Sequence, residues 1–356
     1  MAQQLAEALR EGGCVFMDGG FSTHCEAKGA DLSVGKLWSA RLIADDPALV
    51  AAVHTDFLAA GADIIGTATY QATIRGFVDE GKTPERAAEL MKQAVAIAVS
   101  ARDAFWDSLS PEAQRARSRP LVGACIGPYG GYLADGSEYS GTYGLPESEG
   151  GTGDKLSLEE LSAFHREQVS VLTVAGADIL LFETLPCALE ARAIASLLEN
   201  EFPATYALVS FSCKDEAHLN SGEPFAPAAA AIEDCGQILA VGVNCTPPHL
   251  IAPLLTAASA VTTKPFVAYG NSGEAFTSAG ASDNPSPGNA RWSGQGSGVE
   301  VGDFAKLALD WLRVAQSEKF GRRGCLVGGC CRTTPEHIAA VCGACRPLAR
   351  ASAVGT

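Results

Sequence analysis

Two adjacent thiols, Cys330 and Cys331, follow Gly328-Gly329 near the C-terminal end of this chain, and a third, Cys245, lies far upstream in Val243-Asn244-Cys245-Thr246. Adjacent cysteines do not readily bond to each other, because a vicinal disulfide strains the peptide and the preferred Cα separation. A turn that splays their side chains can instead aim both at one metal ion. Cys245 would then complete a three-thiolate zinc site with one open position, and an open position on zinc is where a substrate atom binds. A soft, thiolate-rich site suits a sulfur substrate. Most free cysteines pack as small hydrophobes, and that is the ordinary reading for most of the twelve here. Cys330 and Cys331 instead border glycine and arginine at what reads as a strand end, a poor place for core packing.

The elements that would position these thiols are readable. Eight short apolar runs recur along the chain: Cys14–Asp18, Ala62–Thr67, Leu121–Ile126, Asp178–Glu183, Tyr206–Cys213, Ile238–Cys245, Pro265–Tyr269 and Cys325–Gly329. Each is rich in Val, Ile, Leu or Ala with little polar alternation, as expected for parallel strands buried on both faces. Between them lie helical patterns with clear starts. Asp46-Pro47, Thr83-Pro84, Thr246-Pro247 and Thr334-Pro335 place a capping side chain before a first-turn proline, and Ser157–Glu160 is a capping box. Gly61 and Gly176 end helices and lead into strands. Eight strands with intervening helices predict a single (β/α)8 TIM barrel over residues 1–356, its core about 10–350, with a doubly wound open sheet as the alternative. Two connections, Gly127–Gly153 after the third strand and Ser272–Gly298 after the seventh, exceed the usual length and leave the strand ends where barrel enzymes build their sites.

On this register polar residues gather at one end of the barrel: Asp18, Thr67 to Tyr70, Glu183, Asn244 with Cys245, Asn271 to Glu274, and Cys330 with Cys331. For Asp18 and Glu183 the bland alternative is helix capping or a rim salt bridge.

Composition narrows the class. With 356 residues, 47% of them hydrophobic, the chain can bury one large core, and a net charge of −15 argues against a nucleic-acid partner. The N-terminal MAQQLAEALREGG has no apolar signal region, and no apolar run approaches a membrane span. Cysteines without a secretory signal read as reduced thiols in a cytoplasmic protein. Gly294–Gly298 lacks the strand-then-helix context of a dinucleotide fingerprint.

The motifs MDGGFSTHCE, ATYQAT, IGPYGGYLADGSEYSG, LLFETLP, VGVNCTPP, NSGE and GGCCRTTP, in this order along nearly the whole chain, resemble the homocysteine S-methyltransferases, nearest the stand-alone plant and microbial enzymes that use S-methylmethionine and the related selenocysteine methyltransferases. The resemblance implies a zinc-dependent barrel with Cys245, Cys330 and Cys331 as ligands, and implies that Asp18 and Glu183 hold the amino group of homocysteine. Zinc would keep the acceptor sulfur as a nucleophilic thiolate, which takes a methyl group from a sulfonium whose leaving group departs neutral. A cationic donor should meet aromatic faces and carboxylates, for which Trp38, Tyr129, Tyr139, Asp135 and Glu138 are candidates; Asn244 and Asn271 join them as substrate-binding candidates at strand ends. Ala68, where the family often carries asparagine, and Tyr269-Gly270-Asn271, which lacks the usual proline before asparagine, depart from the pattern and touch donor or acceptor preference. With no room for corrinoid or folate modules, S-methylmethionine is the expected donor, ahead of S-adenosylmethionine, with betaine and a selenocysteine acceptor as alternatives. Cys342-Gly343-Ala344-Cys345 raises a thiol-redox or zinc-storage reading, and a non-enzymatic zinc domain would need a fourth protein ligand, nominally His249 or His337.

Overall fold

The computed structural model describes residues 2–32, 35–144, 156–277, 291–293 and 298–354. Eight parallel strands form its central sheet: β1 (Cys14–Phe16), β2 (Ile64–Gly66), β3 (Leu121–Ile126), β4 (Ile179–Leu185), β5 (Ala207–Phe211), β6 (Ile238–Asn244), β7 (Phe266–Gly270) and β10 (Cys325–Gly329). Their spatial order is β1-β10-β7-β6-β5-β4-β3-β2, and a parallel bridge from Met17 to Ile64 joins the two ends. The result is a nearly closed (β/α)8 barrel, not an open doubly wound sheet. A small antiparallel ribbon, β8 (Ala275–Thr277) with β9 (Arg291–Ser293), sits in the connection after β7. Residues 278–290 and the glycine-rich run 294–297 of that connection, and residues 145–155 of the connection after β3, lie outside the described residues.

All eight apolar runs became barrel strands, and the reason for their unbroken hydrophobicity is visible in how their side chains divide. Alternate residues point inward and outward along a strand. Met17, Ile64, Leu121, Ile179, Leu181, Leu208, Ala240, Val267 and Leu326 form the inner cluster. Their neighbours Phe16, Ile65, Val122, Leu180, Phe182, Val209, Val241, Phe266 and Val327 face the surrounding helices. The helix Ala2–Arg10 adds Leu5 and Leu9 to the inner set, and the Leu9 carbonyl accepts from Gly324 N at 3.0 Å, which ties that helix to the start of β10. The outer layer carries most of the aromatic bulk. Trp311, fully buried, donates from Nε1 to the Pro248 carbonyl at 3.1 Å; truncating a side chain of this kind typically costs about 3–5 kcal/mol.

Three of the expected helix starts follow their capping chemistry, while Thr334, before Pro335, turns its hydroxyl to His337 Nδ1 at 3.0 Å. Asp46 accepts from Leu49 N, Thr83 from Arg86 N, and Ser157 forms the complete capping box with Glu160. Thr246 does not cap. The helix there begins at Pro248 with Pro247 in the cap position, and the Thr246 hydroxyl accepts from Cys213 N while donating to the Asn244 carbonyl. A better partner from β5 has taken the side chain that the local pattern assigned to the helix. Gly61 closes its helix in the left-handed conformation, φ 111°, whereas the helix before Gly176 already ends at Leu172 with Thr173 at its cap, and Gly176 (φ 98°) sits in the turn that follows.

Candidate active site at the C-terminal ends of the strands

The register explains why residues so far apart in sequence meet. β7 lies between β6 and β10, with Asn244 opposite Tyr269, Tyr269 opposite Gly328 and Gly270 opposite Gly329. Cys245 and Cys330 therefore emerge on either side of the end of β7. Both are fixed by its carbonyls: Cys245 N donates to Tyr269 O at 3.1 Å and Cys330 N to Gly270 O at 2.8 Å. Cys331 follows in the next turn. The three sulfurs lie within 4.8 Å of one another, and Cys245 Sγ is 3.4 Å from Cys331 Sγ.

Gly328 and Gly329 are required by close approach. A Cβ on Gly328 would fall 2.8 Å from Met17 Cβ and 2.9 Å from Asp18 O; one on Gly329 would fall 2.2 Å from Thr333 Oγ1. The glycines let β1 and the Thr333 turn pack directly against the thiol-bearing strand end, so Asp18 and the cysteines share one rim. Backbone strain collects at the same place. Cys245, Thr184, Arg332 and Trp38 all have positive φ (47°, 64°, 64° and 49°), a conformation that costs a non-glycine residue about 1–3 kcal/mol and clusters at functional sites.

These strand ends border a cavity of about 890 Å³, counting its open mouth. Of the residues expected from sequence, Asp18, Trp38, Glu138, Tyr139, Glu183, Cys245, Cys330 and Cys331 line it. Four others sit elsewhere. Tyr129 packs edge-on against Tyr143 and Phe164 with ring centroids 5.5 and 5.1 Å apart. Asn244 is wholly buried behind the rim, where its side chain binds Thr184 N at 2.6 Å, Thr184 Oγ1 at 2.8 Å and Ser210 Oγ at 2.8 Å, and reaches Cys330 Sγ at 3.8 Å. Asn271 accepts from Gly273 N at 2.8 Å and shapes the turn after β7. Asp135 is exposed and accepts from Ser137 N. Thr67 and Tyr70, expected at this end of the barrel, also line the cavity, and Tyr269, Thr184 and Cys125 line it without having been singled out for it. For Tyr269 the signal was its place at the end of the seventh run.

The carboxylates are unlike ordinary surface acids. Asp18 accepts from Gly66 N at 2.7 Å; burial raises its pKa well above the usual range, against the pull of that bond, and the nearby Glu183 adds to the rise. Glu183 accepts from Tyr269 OH at 3.1 Å, yet burial, followed by the charge of Cys330, pushes it up to about 8. Burial pushes Glu138 up to about 7, and its Oε2 has no hydrogen-bond partner among the described residues. Buried acids with raised pKa values in a cleft mark places where a cation is wanted.

The thiols test well as metal donors. Hydrogen bonding with the Cys330 and Cys331 thiols holds the pKa of Cys245 well below the usual thiol range. Tyr139 OH stands 3.3 Å from the same sulfur. One already acidified thiol beside two more gives a soft donor set of the kind that binds zinc, because the ligand form is the thiolate. Among the described residues no other His, Cys, Asp or Glu joins the group. His249 is exposed and His337 Nδ1 is engaged with Thr334. Cys342 and Cys345 lie apart on the helix Pro335–Val354; burial pushes them up to about 11 and about 12.

A barrel with a three-thiol cluster and two buried acids at the C-terminal strand ends is the architecture of a thiol-handling barrel enzyme. The chain belongs to the homocysteine S-methyltransferase family, whose model matches residues 15–345. It is 41% identical over 334 residues to homocysteine S-methyltransferase YbgG of Bacillus subtilis, covering 94% of this chain and 95% of that one. It is 40% identical to a selenocysteine Se-methyltransferase of Brassica oleracea, covering 95% and 90%. Among solved structures it is similar to the homocysteine methyltransferase MmuM of Escherichia coli in its metallated form, with a TM-score of 0.73, 34% identity and coverage of 92% and 95%. Among the described residues no helix is long and apolar enough to cross a membrane.

Proposed function

We propose that this protein transfers a methyl group from a sulfonium, S-methylmethionine in preference to S-adenosylmethionine, to the thiol of L-homocysteine, using one zinc ion held by Cys245, Cys330 and Cys331. The observation that carries this reading is the meeting of those three thiols at the floor of a cavity bordered by buried carboxylates. Zinc, when bound, would supply a nucleophilic acceptor sulfur at neutral pH.

The remaining work falls to side chains. Asp18 and Glu183 take the ammonium of homocysteine: Asp18 is buried, Glu183 half-buried, and both are raised in pKa, so an incoming cation between them offsets the cost of keeping them ionised. That fixes the amino-acid end and turns the thiol toward the cysteine cluster. Glu138, Tyr139 and Trp38 present a carboxylate and aromatic faces to the donor's positive sulfur. In the step itself the acceptor thiol loses its proton and its sulfur forms a new bond to the methyl carbon. The donor's S–CH3 bond breaks, its electron pair stays on the departing thioether, and no general acid is needed. The task of the barrel is positioning.

The test is a donor and acceptor matrix. Zinc-loaded protein is assayed with homocysteine and selenocysteine against S-methylmethionine, S-adenosylmethionine and betaine. The reading expects the highest kcat/KM for S-methylmethionine with homocysteine. A higher value for betaine than for either sulfonium contradicts the donor assignment, and preference for selenocysteine reassigns the acceptor, as in the Brassica relative's name.

A further inference from the structure

A buried carboxylate outside the cavity ties together both ends of the segment that carries Glu138 and Tyr139. Glu190, on the helix Ala188–Glu201, is fully buried. Its Oε1 accepts from Tyr129 N at 2.7 Å, and its Oε2 accepts from Tyr143 OH at 2.6 Å. His165 Nε2, from the helix Leu158–Leu172, lies 2.8 Å from Oε1. Tyr129 begins the short helix Tyr129–Leu133, whose cap position is Pro128, with no side-chain cap. Glu190 thus satisfies a first-turn N–H that nothing local can reach. Tyr143 belongs to the turn Thr142–Gly144 at the other end. Between these anchors the chain runs out to the cavity and back. On the cavity side the Glu138 carbonyl accepts from the connection after β5, from Ser212 Oγ at 3.2 Å and Asn220 Nδ2 at 3.4 Å, and Tyr139 OH stands 3.3 Å from Cys245 Sγ.

We propose that Glu190 is a positioning residue for methyl transfer: by clamping Tyr129 and Tyr143 it fixes the reach of segment 129–143 and so sets where Glu138 and Tyr139 meet the donor. This deepens the donor assignment made above and rests on it. The chemistry requires a carboxylate at this point. Two backbone or phenolic donors and a histidine ring converge on one side chain, and a carboxylate can accept at both oxygens. Glutamine, of the same shape, either sets its NH2 against Tyr129 N and loses that bond, or keeps Tyr129 N on its carbonyl oxygen and reverses the other bond, its NH2 donating to Tyr143 Oη, which leaves the buried phenol O–H without its acceptor. An unsatisfied buried group then favours release of that end.

Glu190→Gln is compared with wild type, with Tyr143→Phe as the milder variant that keeps the Tyr129 bond. Two readouts are taken: hydrogen–deuterium exchange of peptides covering 127–144, and steady-state constants for each substrate alongside zinc content. In Glu190→Gln, exchange in 127–144 should speed up about tenfold. The sulfonium KM should rise about tenfold, since a misplacement of about 1 Å can cost that much or more. Homocysteine KM, zinc content and exchange in β6 and β10 should stay within about twofold of wild type. Tyr143→Phe should move the same quantities in the same direction by less. Unchanged exchange in 127–144 overturns the clamp. Faster exchange with an unmoved sulfonium KM, or an equal loss for both substrates, overturns its role toward the donor. If wild type turns over no sulfonium, the donor assignment has failed, while exchange still decides the clamp.

Discussion

The last thirty-odd residues of this chain hold two cysteine pairs with opposite fates. Cys330 and Cys331 stand half-buried on a strained turn at the end of β10, with Cys245 beside them, polar donors around them and a cavity in front. Cys342 and Cys345, spaced as a potential redox motif, lie on the helix Pro335–Val354 packed into the outer core. The first cluster contains a thiol acidified by its neighbours; in the second, burial drives both thiols up, to about 11 and about 12. Both places gather cysteines within a short stretch of chain. What differs is burial, offset only in part by Arg346 beside Cys342, in one, and in the other hydrogen bonds between thiols at a polar rim that lower Cys245 while raising Cys330 and Cys331. Environment, not the motif, decides which cysteines can act.

The comparison breaks most sharply under substitution. Cys330→Ala or Cys331→Ala should abolish stoichiometric zinc binding and lower kcat/KM by at least about a thousandfold, with the far-UV circular dichroism unchanged. Cys345→Ala should leave zinc and turnover intact and cost only about 1–2 kcal/mol in urea unfolding, the loss of one small buried side chain. Zinc loss in Cys345→Ala, or retained stoichiometric zinc in Cys330→Ala, would erase the distinction.

The carboxylates at the cavity sharpen it. Glu183→Gln should raise the homocysteine KM about ten- to a hundredfold, the worth of one charge-assisted bond in a partly dry site, without changing zinc content. Lost zinc with an unchanged KM would instead place Glu183 in support of the metal ligands.

A smaller effect is expected from pH. Glu138 has a pKa pushed up to about 7 by burial, so it is a carboxylate above that pH and a neutral acid below it. Sulfonium KM should therefore rise several-fold as pH falls from about 8 to about 6, and Glu138→Gln should flatten that dependence while raising KM throughout. A pH profile identical in the variant separates Glu138 from the donor.

Much of this was legible in the sequence for a definite reason. Parallel barrel strands are buried on both faces, so their runs are short and apolar without alternation, and all eight stood out. The thiols were legible because two adjacent cysteines after two glycines are hard to explain as core. Register was not legible. Nothing in the local pattern says that β7 lies between β6 and β10, or that its carbonyls pin both thiol-bearing residues. The same gap misplaced Thr246, whose hydroxyl bonds Cys213 N across the sheet. It also hid the true setting of Tyr129 and Asn244. Both read as residues near a rim, yet one packs on Phe164 and the other cross-links β4, β5 and β6 behind the cavity. Side chains whose partners come from other strands are where reading along one chain runs out.

The central claim is that the three thiols form an open metal centre and not a closed structural one. X-ray absorption at the zinc edge, on protein loaded with one zinc per chain and free of substrate, addresses it directly. The account predicts three sulfur neighbours at about 2.3 Å and one lighter non-protein neighbour, with the sulfur signal falling in Cys245→Ser. Four protein ligands, or a histidine ring in the scattering pattern, would contradict it.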